Sequence, residues 1–535
     1  MKKITDFVEK NRLFPLFLFL LIVISGFFIV FTYSAGINVY DPYDYAEGVF
    51  WAEATLKSHS LVNPNYVYYY LVPLGSNVIM APFVRLFGVS YLANQCGMAV
   101  FFVLYIALVC RLACLLYQKP YLRFLFCTIT SLYVFTYAGD NLLHHLLSYG
   151  IGLLCFLGEI CCVIDIRNGK RVLPFILLII PVFWASANGI ASVALSSAPV
   201  FLALLIDSYL RKSLQDKNTI KASCLFAVVT LAGLAFYRYC DSLAISQDMY
   251  KYRFLLADSD SLVSHIIHDC FADYLRLFLY KPANALVFSA HGIYGLIKLS
   301  FAVASVVFPI LLWKTNKKDS GGEICKDEKF SLTMFACVLL ILVCSGQYIL
   351  FDTTTNRYFI NLVIALFIIL AILFIEFGKK HSTILGMVIL VFYISVFTFR
   401  SVSNVSPFGK ESKANLENIC NALKENDLTY GYATYRHHKC IDLISNGSIR
   451  NTVIAYDEDT GRYYVEYDRI FEGEQYKPEG IDRFYIIKAG EFDEETPGDP
   501  FLEETCTDRI DTGNSTICIY PIEDWDKILT VNTEK

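Results

Sequence analysis

The sequence predicts a polytopic α-helical membrane protein with a small C-terminal α+β domain. Three observations predict this class. The 535 residues are 55% hydrophobic and only 18% charged, whereas a soluble globular chain is about 45–50% apolar and about 25% charged. The apolar residues gather in long runs as far as residue 400. Beyond that point acidic residues dominate, with 27 Asp and Glu against 14 Lys and Arg in residues 401–535.

The same composition excludes other classes of protein. With 42 Phe and 36 Tyr, the chain is too aromatic for a disordered protein. Its net charge of −5 argues against a nucleic-acid-binding protein, which carries a basic surface. This net charge combines +8 in residues 1–400 with −13 in residues 401–535. Such asymmetry predicts that the two parts occupy different environments.

Apolar runs of about 17–25 residues predict transmembrane helices, and the chain has about eleven. They lie at approximately 13–34, 92–117, 121–138, 142–164, 172–187, 190–210, 222–239, 293–313, 330–350, 358–378 and 382–399. A further apolar stretch at about 69–88 contains two prolines and an arginine. It favours a re-entrant or interfacial helix over a span.

Lys and Arg residues predict the orientation of these helices. They gather in the N-terminal tail and in every second connection, which places the N-terminus in the cytoplasm. The first apolar run is too long for a signal peptide and is interpreted as an uncleaved span. The predicted organisation is a multi-pass transmembrane domain of the cell (plasma) membrane at 1–400, with outer loops 35–91 and 240–292. An extracytoplasmic domain follows at 401–535.

The extracytoplasmic domain has the patterns of mixed secondary structure. Alternating runs at 463–467, 484–487 and 516–520 predict strands, and the stretch 413–425 predicts an amphipathic helix. Its four cysteines can form disulfides outside the cell, with three possible pairings. They are Cys420, Cys440, Cys506 and Cys518. None has the spacing of a zinc site.

Four carboxylates stand immediately outside the first predicted span: Asp41, Asp44, Glu47 and Glu53. A carboxylate at the membrane surface can act as a general base for an acceptor hydroxyl. It can also hold a divalent cation. The alternative is a solvated polar loop that stops the first helix from sliding inward. The residues alone leave both interpretations open.

Other candidates lie at predicted outer helix ends and in the first loop. Asp140, His144 and His145 begin the fourth span, and ionisable groups at membrane depth indicate function. A helix cap or an Asp140–His144 pair one turn apart is the alternative. Arg357 has the planar fork suited to phosphate, or anchors its helix at the interface. Tyr66 can stack on a sugar ring or belong to an interfacial aromatic belt.

The first loop resembles that of the superfamily C (GT-C) integral membrane glycosyltransferases. The resemblance consists of an acidic residue after the first span, two spaced prolines and a Leu-Phe-Gly-x-Ser segment. These are Asp44, Pro64, Pro73 and Leu86–Ser90. By spacing to Pro64, the family's catalytic acid falls on Asp44, with Asp41 as the second choice. The family often has Glu directly after this acid, where this chain has Tyr45. The C-terminal stretches resemble those of uncharacterised bacterial membrane proteins of this kind.

The resemblance implies a glycosyltransferase of the cell envelope. Such an enzyme moves a sugar from a polyprenyl-phosphate donor to a hydroxyl of a glycan, lipid or protein acceptor at the outer face. Asp44 is then the base, the configuration inverts, and Arg357 contacts the phosphate. Asp140, His144, His145, Glu47 and Tyr66 are expected to contact substrate. A divalent cation is an open alternative, and no other cofactor is expected.

Two other classes stay open. One is a transporter or flippase of lipid-linked sugars, and the other is a non-catalytic membrane protein of envelope assembly. Transporters usually have inverted repeats, whereas this sequence has no evident internal repeat and an odd number of predicted spans. Eleven spans are also more than a simple anchor needs. Sugar transfer is therefore the favoured prediction.

Overall fold

The computed structural model shows a helical domain followed by a C-terminal domain built on one sheet. It describes residues 13–32, 42–135, 147–169, 172–246, 270–277, 327–350, 360–378, 407–433, 438–457, 459–467, 470–488, 499–513 and 515–531, besides a few single positions. The helical domain contains α1 Phe14–Thr32, α2 Pro42–Ser58, α3 Ser76–Phe87, α4 Tyr91–Leu116, α5 Pro120–Ser131, α6 Leu147–Arg167, α7 Leu173–Ser186, α8 Ile190–Leu195, α9 Ser197–Leu210, α10 Lys217–Leu243, α11 Phe271–Leu277, α12 Glu328–Leu350 and α13 Ile360–Gly378.

Three of these helices are long and apolar enough to cross a membrane, namely Tyr91–Leu116, Lys217–Leu243 and Glu328–Gln347. Shorter apolar helices accompany them, among them Leu173–Ser186 and Ile360–Glu376. The structure therefore supports membrane insertion of a mostly helical domain. Only four single positions of the predicted span 293–313 are described, all of them helical, and the predicted span 382–399 lies outside the described residues.

The predicted single helix 190–210 is wrong in one respect, because it is broken. Helix α8 ends at Leu195 and α9 begins at Ser197, with Ser196 in a non-helical conformation between them. Pro199 gives the physical reason, since a proline ring clashes with the carbonyl four residues earlier. That carbonyl belongs to Leu195, the last residue of α8.

The stretch 69–88, predicted to be re-entrant or interfacial, forms only the short helix α3 with Pro82 inside it. This helix packs closely along α2. The contact is tight at Gly48 of α2, where an added Cβ would lie 3.0 Å from the Ser76 side chain. Helix α2 therefore has a neighbour on its helical-domain side along much of its length.

The C-terminal domain forms a mixed sheet of seven strands. Its strands are β3 Tyr430–Ala433, β4 Arg450–Asp457, β5 Arg462–Val465, β6 Arg483–Lys488, β7 Asp508–Asp511, β8 Thr516–Pro521 and β9 Leu529–Val531, in the order β7-β8-β6-β3-β4-β5-β9. Strand β3 pairs in parallel with β4 and β6, and the outer pairs β4–β5, β6–β8 and β7–β8 are antiparallel.

Four helices belong to this domain: α14 Pro407–Glu425, α15 His438–Ile444, α16 Asp499–Thr505 and α17 Trp525–Ile528. Leucines and isoleucines of α14 and α15 pack on one sheet face. Leu502 of α16 and Trp525 of α17 pack on the other face. The centre of the sheet is thus buried on both sides, as parallel strands require.

The cysteines of this domain make no disulfide among the described residues. Cys420 and Cys440 are buried in the α14–α15 face of the sheet, and all four cysteines of the domain are free thiols. The same holds for Cys240 and Cys270. Here they serve as small apolar side chains.

The two predicted outer loops and the C-terminal domain meet at one small sheet. Strand β1, Val67–Tyr68, pairs in parallel with β2, Ile245–Ser246. On the other side of β1, Tyr66 bridges Phe471 of the C-terminal domain. The amide of Val67 donates to the carbonyl of Ile470 at 2.9 Å. Segments distant in sequence are therefore joined by backbone hydrogen bonds.

A fourth segment joins this region through Asn188. Its side-chain oxygen accepts a hydrogen bond from the Leu74 amide at 2.8 Å, and its amide nitrogen donates to the Leu74 carbonyl at 3.0 Å. The turn between α7 and α8 is thereby fixed to the first loop. The sequence predicted that turn and the first loop on the same side of the membrane, and their contact supports that expectation.

Candidate functional site

Helix α2 carries the acidic residues of the first loop and is enclosed by protein. Every residue from 46 to 54 is buried. Phe50 and Ala52 pack into the core of the helical domain, whereas Trp51 and Ala54 pack with Tyr66 and the small sheet. For this part of the loop, the alternative of a solvated polar segment is therefore wrong.

The predicted catalytic acids lie at the start of this helix. Asp44 is in the first turn of α2, which begins at Pro42, a residue that favours the first helical position. The description of side chains begins at residue 46, and Asp41 lies outside the described residues. The assignment of the base to Asp44 or Asp41 stays a prediction.

Glu47 is placed within the protein rather than in solvent. It is 7% exposed, and its Oε2 accepts a hydrogen bond from the Tyr70 hydroxyl at 3.2 Å. Tyr70 is itself held against the Trp51 ring, with centroids 5.3 Å apart. The fold therefore fixes the position of the Glu47 carboxylate, which lies one helical turn after Asp44.

Tyr66 is fully enclosed at 1% exposure. Its ring packs edge-on against Tyr68 and Phe471, with centroids 5.0 and 5.1 Å away. In this arrangement its neighbours are protein rings. The predicted contact between Tyr66 and a sugar stays a prediction, although the residue does line the cleft described below.

The remaining predicted site residues lie outside the described part of the chain. They are Asp140, His144, His145 and Arg357. The structure brings Glu47 and Tyr66 to the same end of the helical domain. For the other four residues, a place in a common site stays a prediction.

The ion pair of Glu53 with Arg450 joins helix α2 to the C-terminal domain and was not predicted from the sequence. Arg450 Nη1 donates to Glu53 Oε2 at 3.2 Å, and Nη2 donates to Oε1. This is the two-pronged geometry that makes Arg–carboxylate pairs strong. The pair joins α2 to the first residue of strand β4, across 397 positions of sequence.

Electrostatics supports a charged pair. Burial alone would raise the pKa of Glu53, but the hydrogen bonds and charge of Arg450, assisted by Lys57, hold it below its ordinary value. Burial works against the charge of Arg450, but Glu53 and Asp442 raise its pKa. Both side chains therefore stay ionised at neutral pH. Lys57 adds a second contact to Glu53 at 3.2 Å.

Asp442 lies behind Arg450 and is fully buried. Its Oδ1 accepts hydrogen bonds from the backbone and side-chain nitrogens of Asn451, at 2.9 and 3.1 Å. Its Oδ2 has no hydrogen-bond partner among the described residues, and the nearest cation is Arg450 Nη1 at 3.9 Å. Burial raises the pKa of Asp442 to about 7, although Lys439 and Asn451 oppose the rise.

Lys439 completes the group. Its ammonium lies 4.5 Å from the centroid of the Phe50 ring on α2, a favourable cation–π distance. It also donates to the Asn451 carbonyl at 3.5 Å. Helix α2 is thus held to the C-terminal domain by one cation on a carboxylate and another on an aromatic ring. Lys57 of α2 adds a third, 3.8 Å from the centroid of the Phe471 ring.

These residues surround a small cleft between α2 and the C-terminal sheet. Four aromatic side chains and a set of polar groups line it: Phe50, Tyr66, Tyr430, Phe471, Lys439, Asp442, Arg450, Asn451, Thr452 and Glu474. As it stands, the cleft has room for about one water molecule among these hydrogen-bonding groups. The described residues include no group of three or more His, Cys, Asp or Glu that could hold a metal ion.

Arg450 and Asp442 were missed for a physical reason. A single Arg at a strand start and a single Asp in a short helix form no local motif. The only available signal was the scarcity of basic residues in an acidic domain.

No protein-family model matches this chain, and no curated protein matches its sequence.

Proposed function

We propose that this protein is a membrane glycosyltransferase that acts at the outer face of the membrane. One observation carries the proposal. The helix that bears the first-loop acids is buried between the helical domain and the C-terminal domain, with Glu47 and Glu53 fixed by Tyr70 and Arg450. A general base needs such fixed geometry. A mere helix stop has no need of it.

The proposal includes the topology predicted from the sequence. About eleven spans place the N-terminus in the cytoplasm and the C-terminal domain outside. The contacts among the first loop, β2, the α7–α8 turn and the C-terminal domain support this arrangement, because all four segments are predicted on one side. Helix α2 then lies at the outer membrane surface, where the head group of a lipid donor would be.

The proposed reaction is an inverting sugar transfer from a polyprenyl phosphate. Asp44 takes the proton of an acceptor hydroxyl as its oxygen attacks the anomeric carbon. The bond from that carbon to the phosphate oxygen breaks, and the phosphate leaves from the opposite face. Negative charge develops on the leaving phosphate and needs a cationic partner, the role proposed for Arg357. Asp140, His144 and His145 are proposed to contact the substrates.

The test compares Asp44→Asn with wild type in the full-length protein in membranes. Asn keeps the shape of Asp but cannot accept the proton, so transfer of labelled sugar from polyprenyl-phosphate donors should fall by about 10²–10⁴-fold. Asp41→Asn should have a much smaller effect. Asp508→Asn, an exposed acid on β7, is the matched control and should leave transfer unchanged.

The outcomes separate the candidate functions. Transfer by Asp44→Asn at the wild-type rate would overturn the base assignment. A wild-type protein that moves lipid-linked sugars across vesicle membranes without transferring them would be a flippase. One observation favours that second function: the break between α8 and α9 resembles the discontinuous helices of transporters.

A further inference from the structure

One buried carboxyl group of the helical domain is not among the residues that line the cleft. Glu159 is on α6 and is 0% exposed. It precedes Arg167, the last residue of α6, by eight positions, which is about 12 Å of helical rise. An ionisable side chain at this depth in an apolar helix is costly and usually has a function.

Glu159 faces the break between α8 and α9. The hydroxyl of Ser197, the first residue of α9, donates to Glu159 Oε1 at 2.5 Å. Oε2 has no hydrogen-bond partner among the described residues. The contact therefore leaves one carboxyl oxygen available to hold a proton.

Among the described residues, Glu159 has no cationic partner, because the charged groups on the neighbouring helices are engaged elsewhere. Arg111 of α4 is paired with Asp165, and Arg167 is paired with Asp207 of α9 and Glu328 of α12. Helices α7 and α8 contain no ionisable side chain. Helices α3, α10 and α12 carry further charged groups, none of which forms an ion pair with Glu159 among the described residues: Arg85, Lys217, Lys221, Arg238, Asp241 and Lys329. On its own helix, Cys155 and Cys162 lie close to it.

An unpaired carboxylate in such surroundings costs several kcal/mol, and binding a proton removes that cost. Glu159, Cys162 and Asp165 are three residues apart and lie on one side of α6. Asp165 is paired with Arg111, whose side chain is 44% exposed. This side of α6 therefore ends at a partly exposed ion pair.

We propose that Glu159 is a reversible proton-binding site of the helical domain. The proton resides on Oε2 while Oε1 accepts a hydrogen bond from the Ser197 hydroxyl, and it leaves as H⁺ to water at the end of α6 that carries Asp165 and Arg111. The carboxylate that is left is stabilised by Ser197 and by the positive end of α9. The site lies in the helical domain and includes none of the residues proposed for sugar transfer.

The test is infrared difference spectroscopy of the full-length protein in lipid nanodiscs, recorded from acidic to alkaline pH. Wild type should show a carboxylic-acid C=O band that disappears at alkaline pH and moves to lower frequency in D₂O. Glu159→Gln should lack this band. Ser197→Ala should keep it at a higher frequency, because the carbonyl oxygen has lost its hydrogen bond. Asp241→Asn, a partly exposed acid on α10, should leave it unchanged.

Two results would overturn the proposal. A band that persists at every pH where the protein is folded would mean a permanently protonated structural acid. A wild-type spectrum without any band that Glu159→Gln removes would mean an acid that stays ionised. Ser197→Ala retains the carboxyl group, so the site can be judged even where Glu159→Gln fails to fold.

Discussion

Two buried ion clusters hold this molecule together, and they are built differently. The junction cluster, Glu53, Arg450, Asp442 and Lys439, joins α2 to the C-terminal domain. The end cluster, Arg167, Asp207, Arg211, Glu328 and Ser331, joins α6, α9 and α12 within the helical domain. Each buries charges that would be costly alone.

The end cluster uses nearly all the hydrogen-bonding capacity of its central acid. Asp207 accepts from Arg211 Nε at 3.0 Å and from the Ser331 hydroxyl at 2.5 Å. Arg167 lies 3.6 Å from its other oxygen and also donates to Ser208. Such closure fits a structural role in fixing three helices.

The junction cluster has capacity left over. Asp442 Oδ2 has no hydrogen-bond partner among the described residues, and the cluster borders a cleft lined by aromatic and polar groups. An incompletely used buried acid beside a cleft favours binding or regulation over structure alone. Burial of charge by itself therefore does not separate the two roles. The central acids do differ, because both oxygens of Asp207 are engaged whereas Asp442 has one without a hydrogen-bond partner among the described residues.

The largest expected effect is on the end cluster. Arg167→Met should lower the free energy of unfolding by about 3–5 kcal/mol, because Asp207 stays buried after losing a cation. The measurement is denaturant unfolding of the detergent-solubilised protein. Arg238→Met removes a pair whose Arg side chain is 80% exposed and should cost less than about 1 kcal/mol. Equal losses in the two variants would contradict the structural role.

A smaller effect is expected at the junction. Arg450→Met should cost about 1–3 kcal/mol, because Arg450 is one third exposed and water can partly solvate Glu53. The loss should be local, with faster amide hydrogen exchange in α2 and at Phe471. Lys477→Met is the control, since its pair with Asp526 is partly exposed and lies within the C-terminal domain; its cost should stay below about 1 kcal/mol. Unchanged exchange in Arg450→Met would show that the two domains are held by other contacts.

The third effect is a dependence of stability on pH, and it is small at any single pH step. Folding raises the pKa of Asp442 to about 7 from an ordinary value of 3.8. The stabilisation from its protonated form is therefore complete below the ordinary pKa and is lost as pH rises towards 7. The slope is at most about 1.4 kcal/mol per pH unit. Asp442→Asn should remove this slope from stability measured at several pH values between about 4 and 7.

Glu53 has the opposite sign and provides an internal control. Its pKa is lowered by Arg450, so its stabilisation is present above its ordinary pKa and is lost as pH falls below it. Asp442→Asn should leave this acidic loss intact. Parallel pH profiles of Asp442→Asn and wild type across the whole range would contradict the assignment of Asp442.

Much of the secondary structure was predictable, because it depends on local pattern. Long apolar runs gave α4, α10 and α12, and two-residue alternation gave β5, β6 and β8. The short strand β3 was not predicted, because Tyr430–Ala433 includes Gly431 and has no alternation. The reason for a glycine in this strand is visible only in the paired sheet. An added Cβ at Gly431 would lie 2.5 Å from Tyr485 on the neighbouring strand, which is too close for any other residue.

The candidate site was predictable only in part. The acids of the first loop were found because they follow an apolar run directly. The burial of these acids was not predictable. Glutamates in a loop are ordinarily expected to face solvent, and only the tertiary structure shows that Tyr70 contacts Glu47 and Arg450 contacts Glu53. Glu159 was passed over for a similar reason, because one acid in an apolar run leaves the hydropathy of a helix nearly unchanged.

The sequence by itself determined the class of protein: a helical membrane domain, an acidic C-terminal domain, and acids next to the first span. Hydropathy and charge are sums over neighbouring residues, so they need no knowledge of the fold. Only the tertiary structure decided that Arg450 meets Glu53, that Phe471 bridges Tyr66, and that Ser197 meets Glu159. A buried charge needs an oppositely charged or hydrogen-bonding partner to offset its loss of water. That partner is distant in sequence in each of these contacts, so only the path of the folded chain determines where it lies.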